Sequence, residues 1–174
     1  RIGSIEPGST IIYNIFQNAG QSYSSGIEVI IAQNVGKWAI FNLNLNGYQN
    51  IIEPFTVVNK YPQESTFSAG RQKIFSGSIK FNGLFHLPSN YDVQFSSVYM
   101  APDVVPQGKI YSRFYIDLGV KKSLQKGKGE VFLNATDLAN TLRIKREVKG
   151  DGFSYVSTDY YETQVFRLGY TYKF

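Results

Sequence analysis

Apolar residues recur at every second position along most of this chain, and no stretch carries a convincing 3.6-residue period. A period of two sends successive side chains to opposite faces of a strand. A chain written this way can fold only as sheet, with two faces of different chemistry. The clearest case is the end of the chain, where Phe166, Leu168, Tyr170, Tyr172 and Phe174 form one row and Val165, Arg167, Gly169, Thr171 and Lys173 the other. Upstream, Val131, Leu133 and Ala135 alternate with Glu130, Phe132 and Asn134. Phe114, Ile116, Leu118 and Val120 alternate with Arg113, Tyr115, Asp117 and Gly119. Tyr91, Val93, Phe95 and Tyr99 are set against Asp92, Gln94, Ser96 and Val98.

Four further runs complete the pattern. Phe75, Ile79, Phe81, Phe85 and Leu87 lie opposite Ser76, Ser78, Lys80, Asn82, Leu84 and His86. Phe41, Leu43 and Leu45 lie opposite Asn42, Asn44 and Asn46, and Ile27, Val29 and Ile31 opposite Glu28, Ile30 and Ala32. Ile11, Tyr13 and Ile15, opposite the less regular Ile12, Asn14 and Phe16, give an eighth strand. The connections alternate in length. Gln33 to Lys37, His86 to Asn90 and Lys121 to Lys128 read as short turns rich in Gly, Asn, Pro, Ser or Lys. Gln49 to Lys73, Met100 to Gly108 and Thr136 to Tyr160 read as longer segments, with only Asn18 to Ser24 short on that side. Short turns at one end and long loops at the other mark an outer-membrane barrel.

Residues 1–174 thus read as one all-β unit: an antiparallel transmembrane β-barrel of about eight strands, or the carboxy-terminal segment of a larger one. In hydrocarbon every backbone N–H and C=O needs a partner, so these strands either close on themselves or join others. Periodicity alone does not orient the faces, since a soluble ligand-binding barrel has the same alternation with its apolar row inward. Composition favours apolar-out. The second face is largely Asn, Ser, Gly, Gln and Tyr, without the dense Lys and Glu of a water-exposed surface. The chain has 13 Tyr and 13 Phe, and rings such as Tyr13, Phe85, Tyr91 and Tyr99 cluster at strand ends, where a membrane interface would hold them. On this orientation Phe166, Leu168, Tyr170, Tyr172 and Phe174 face lipid, and Lys80, Arg113, Asp117, Glu130 and Arg167 face the lumen as a ladder of charges.

Little in the sequence points to catalysis. There is no Cys and one His, His86, in a predicted short turn, so no metal or catalytic site is expected. The net charge of +5 gathers at Lys121 to Lys128 and Arg143 to Lys149, which read as solvated turns and loops. No RNA-binding motif, Gly-rich phosphate loop or zinc spacing supports a nucleic-acid partner, and no cofactor is implied.

Val165-Phe-Arg-Leu-Gly-Tyr-Thr-Tyr-Lys-Phe174 resembles the terminal signal of bacterial outer-membrane proteins, which the barrel-assembly machinery reads in that family. Asn134-Ala-Thr-Asp-Leu-Ala-Asn-Thr141 resembles a segment near the end of TonB-dependent receptors, with Ala139 where those have an aromatic. Gly150-Asp-Gly-Phe-Ser154, Glu162 ahead of the last strand, and Ser22-Tyr-Ser-Ser-Gly-Ile-Glu-Val29 are similar to features of the same barrels. The resemblance implies the bacterial outer membrane and the last strands of a 22-stranded nutrient importer. Outer-membrane lipid, the assembly machinery and the remaining strands and plug of that receptor would be its partners. A complete small eight-stranded barrel with a structural or adhesion role is the alternative.

Overall fold

The computed structural model describes residues 2–6, 8–18 and 20–174. Its strands are β1 (Ile2–Ile5), β2 (Ile12–Ile15), β3 (Ser22–Val35), β4 (Ala39–Ile52), β5 (Phe55–Asn59), β6 (Ser65–Ala69), β7 (Gln72–Leu87) and β8 (Tyr91–Met100). They continue as β9 (Asp103–Val105), β10 (Gly108–Ile110), β11 (Arg113–Leu124), β12 (Gly129–Thr136), β13 (Arg143–Gly150), β14 (Phe153–Tyr160) and β15 (Val165–Tyr172).

Seven of these form one antiparallel sheet in the order β15-β12-β11-β8-β7-β4-β3. This is the wall that the alternation predicts, and three of its connections are the short turns expected. Tight reversal needs positive φ, and the turns supply it at Gly36, at Ser89 and Asn90, and at Gln125, Lys126 and Gly127. The β3–β4 and β4–β7 ladders each pair 14 residues along the strands, from Ser22↔Ile52 to Val35↔Ala39 and from Ile52↔Gln72 to Ala39↔Phe85. Strands of that length cross a ~30 Å hydrocarbon layer when tilted.

Two expectations are corrected. The eighth strand does not belong to the wall: β2 pairs with β1 as a separate hairpin, Ile2↔Ile15 to Ile5↔Ile12. At four residues β2 spans only ~13 Å at ~3.3 Å per residue, too short to cross a bilayer. The long segments are not irregular loops either. Each folds back as a hairpin, β5–β6, β9–β10 and β13–β14, and β10 also pairs with β13 to give the sheet β14-β13-β10-β9. These hairpins and β1–β2 stand at the long-loop end. Ile2, Ile52, Phe55 and Val57 form a buried cluster there, with Phe67, Ala69 and Val104 packed against it. In the wall, by contrast, large apolar side chains such as Ile27, Phe75 and Leu168 stay exposed.

Candidate functional site

Paired residues in an antiparallel sheet share a face, so the registers sort every wall side chain. One face carries the row Leu168, Leu133, Val120, Val93, Phe85 and Ala39, and beside it Phe166, Ala135, Leu118, Phe95, Gly83 and Phe41. Rings interlock across β4, β7 and β8 on this face: Phe41 lies 5.5 Å from Phe85 and 6.0 Å from Phe81, and Phe81 lies 6.1 Å from Phe95. The other face carries Glu28, Asn46, Ser78, Met100 and Arg113 in one row, and Ala32, Asn42, Asn82, Ser96 and Asp117 in another. Phe132 departs from the polar rule there, and its ring lies where a side chain on its partner Gly169 would be.

Phe166, Leu168, Tyr170 and Tyr172 share the apolar face, and Phe174 follows the end of β15. Their exposures run from 41% at Tyr172 to 77% at Leu168 within the strand, so they gather into no protein interior. Lys80, Arg113, Asp117, Glu130 and Arg167 all share the polar face. They do not form the expected ladder with one another. Asp117 Oδ1 accepts the Asp137 amide at 2.8 Å, and Arg113 Nε points at Met100 Sδ, 2.9 Å away. Of the five, Glu130 is the one ion-paired among the described residues, to Lys121 at 3.8 Å.

The chain of charges that does cross strands joins one of the five, Glu130, to His86, Asp92 and Lys121, which the sequence reading left out of the ladder. His86 Nδ1 lies 2.6 Å from Asp92 Oδ1, Lys121 Nζ lies 3.3 Å from Asp92 Oδ2, and Lys121 continues to Glu130. His86↔Asp92 and Asp92↔Lys121 are register partners at the short-turn end of the polar face. Counting outward from the Pro88-Ser89-Asn90 turn was the signal that could have found them.

At the opposite end, the β9–β10 hairpin is tied to the polar face. Asp103 accepts from Tyr48 Oη at 2.7 Å and from Asn50 Nδ2 at 2.9 Å. Beyond it, Lys109 and Lys149 reach the Glu147 carboxylate at 3.3 and 2.6 Å, and Tyr111 Oη donates to it at 3.1 Å. Lys149, then Tyr111 and Lys109, hold the Glu147 carboxyl down to about 2. The Lys109 and Lys145 ammonium groups lie 4.7 and 4.9 Å from the centre of the Tyr111 ring.

The third feature is a knot around Asp137, just after β12. Its carboxylate accepts the Thr141 amide at 2.9 Å, the Leu142 amide at 3.1 Å and the Thr163 hydroxyl at 2.7 Å. Thr136 Oγ1 donates to the Thr163 carbonyl at 2.9 Å, and Thr141 Oγ1 to the Phe114 carbonyl at 2.7 Å. Asp137 and Asn140 take the positive φ that Asp and Asn tolerate. The motif singled out in the sequence therefore locks the rim where β12, β11 and the approach to β15 meet.

A family model for the outer membrane protein β-barrel family matches residues 4–172. The chain belongs to that family. No curated protein and no solved structure matches it. Membership places this barrel protein in the bacterial outer membrane. In such barrels short turns lie on the periplasmic side and longer loops outside. The His86–Asp92–Lys121–Glu130 relay of this outer-membrane barrel then stands at the periplasmic end, and the Asp103, Glu147 and Asp137 clusters stand at the external end.

Proposed function

We propose that this chain is the carboxy-terminal wall of a TonB-dependent-receptor-like importer of a bulky nutrient. Its apolar face lies against acyl chains, and its polar face lines the passage. The terminal row from Phe166 to Phe174 would serve as the signal read by the barrel-assembly machinery. No catalysis is assigned to the chain.

One observation carries the reading. All six pairings in the seven-stranded sheet are antiparallel, so the edge strands β3 and β15 run in the same direction. Joining them would require a parallel pair, whereas bacterial single-chain barrels have an even number of antiparallel strands. An odd number of further strands completes the cylinder. β2, read from the sequence as an eighth wall strand, is paired with β1 instead, so it does not fill the gap between β3 and β15. The hairpins clustered at the external end, one of them tied to the polar face through Asp103, suit a receptor mouth.

Two experiments test the reading. Cysteines at Val29 and Leu168, in β3 and β15, are expected to form no disulfide in the full-length protein; a high yield would mean a closed small barrel. Leu118, flanked by Phe95 and Ala135, is expected to lose ~2–4 kcal/mol on replacement by Arg near the midplane. Ser78→Arg on the opposite face should cost little. Equal costs in a vesicle-folding titration would defeat the apolar-out orientation.

A further inference from the structure

The apolar face is not uniformly filled. Toward its external end, Ile27, Val29, Leu45, Phe75, Ile79 and Tyr99 border a groove of about 930 Å³, within the ~300–1,000 Å³ range of small-molecule sites. Ile27 and Phe75 stand 75% and 77% exposed at its sides. The floor is the directly paired Gly47 and Gly77, next to Ile27 and ahead of Ile79.

These two glycines are bare for different reasons. A Cβ on Gly77 would fall against the Asn46 carbonyl oxygen, so close backbone approach demands glycine there. A Cβ on Gly47 would meet nothing within 4 Å, and its backbone is not in the left-handed region. Neither strain nor crowding excludes a side chain at Gly47, and strand interiors disfavour glycine. What its absence achieves is an open floor. The rim adds a second feature. Ser25 and Gln49 are register partners on this same face, at the loop-ward edge of the groove beside Phe75. An apolar trough with a polar lip on the external side has the chemistry of one lipid tail and the ester or amide linkage above it.

We propose that this groove seats one fatty-acyl chain of an outer-leaflet lipid, with Ser25 and Gln49 hydrogen-bonding its linkage region. The proposal rests on the apolar-out orientation, since the groove is continuous with the surface that meets the bilayer.

The test reconstitutes the full-length protein in vesicles doped with phosphatidylethanolamine carrying a photoreactive diazirine on its acyl chain. Label is then mapped by mass spectrometry. Peptides containing Ile27 and 75–79 are expected to carry several-fold more label than those containing Leu133 and Leu168, on the same face but outside the groove. Gly47→Leu, which fills the floor, should bring the groove down to the level of Leu168. Equal labelling in the wild type overturns the seat while leaving the orientation intact, and so does label at Leu168 with none in the groove, as when another strand covers it. An excess that survives Gly47→Leu also overturns it. Label at neither place would remove the orientation and the seat together.

Discussion

Asp137 offers the sharpest test of how the external rim is held. It is 1% exposed, and its carboxylate serves two backbone amides and one hydroxyl. In Asp137→Ala the Thr141 and Leu142 amides lose their acceptor, while the Thr163 hydroxyl can rotate to seek another. An orphaned buried donor costs ~1–3 kcal/mol, so two predict a loss of ~2–6 kcal/mol. Asp137→Asn keeps one acceptor oxygen and the shape but loses the charge, so it should fall between, at ~1–3 kcal/mol. The readout is denaturant unfolding of the protein in detergent micelles, with amide exchange followed at Thr141 and Leu142. The pH dependence has a definite sign. Burial alone would raise the Asp137 carboxyl, but the bonds from Thr163, Thr141 and Leu142 outweigh it and the value falls. A depressed folded value means the stabilisation is present above the ordinary carboxylate range and fades as pH drops through it toward the folded value. Wild-type stability in Asp137→Ala, or a larger loss for Asn than for Ala, would refute the account.

Two further perturbations separate local causes. Gly77→Ala should lose ~1–3 kcal/mol from overpacking against the Asn46 carbonyl, while Gly47→Ala should stay within ~0.5 kcal/mol, both read by denaturant unfolding in vesicles. Glu147→Gln should speed amide exchange in β10 and β13 at neutral pH. In the wild type that protection should persist below the ordinary glutamate range and fade only toward about pH 2, because Lys149, Tyr111 and Lys109 favour the charged form.

The wall was legible because its rule is local. Period-two alternation fixes which residues share a face before any partner is known, so Leu118 and Leu168, or Lys80 and Arg167, could be assigned together. Partner identity is a register property, and this is where sequence reasoning stopped. His86 and Asp92 are six apart across a turn and could have been paired by counting. Asp103 with Tyr48 is 55 positions apart, and Gly3 with Gln107 is 104. No periodicity encodes such separations. β13, at eight residues, was masked by the charge run from Arg143 to Lys149, which reads as a solvated loop. The β9–β10 hairpin was missed because its strands have three residues each, below the length at which alternation can be told from chance. β2 misled for the opposite reason. Four residues, Ile12-Tyr-Asn-Ile15, look like strand and are strand, but length decides whether a strand can belong to a membrane wall.

The same physics bears on what the wall belongs to. β3 is 14 residues long, and roughly half of its N–H and C=O groups point away from β4. In water those groups would be hydrated, and the edge would be only an aggregation hazard. In hydrocarbon each costs several kcal/mol, on the order of tens in all, against a net domain stability of ~5–15 kcal/mol. A neighbouring strand is therefore a condition of β3 existing in the membrane, and a pairing of β3 with β15 would have to be parallel. On the importer reading proposed above, many further strands widen the cylinder, since diameter grows with strand number. On that reading Lys80, Arg113 and Arg167, which share the polar face, would line an aqueous or plugged lumen. In a narrow eight-stranded barrel the facing wall would have to supply each of them with a packed counter-charge.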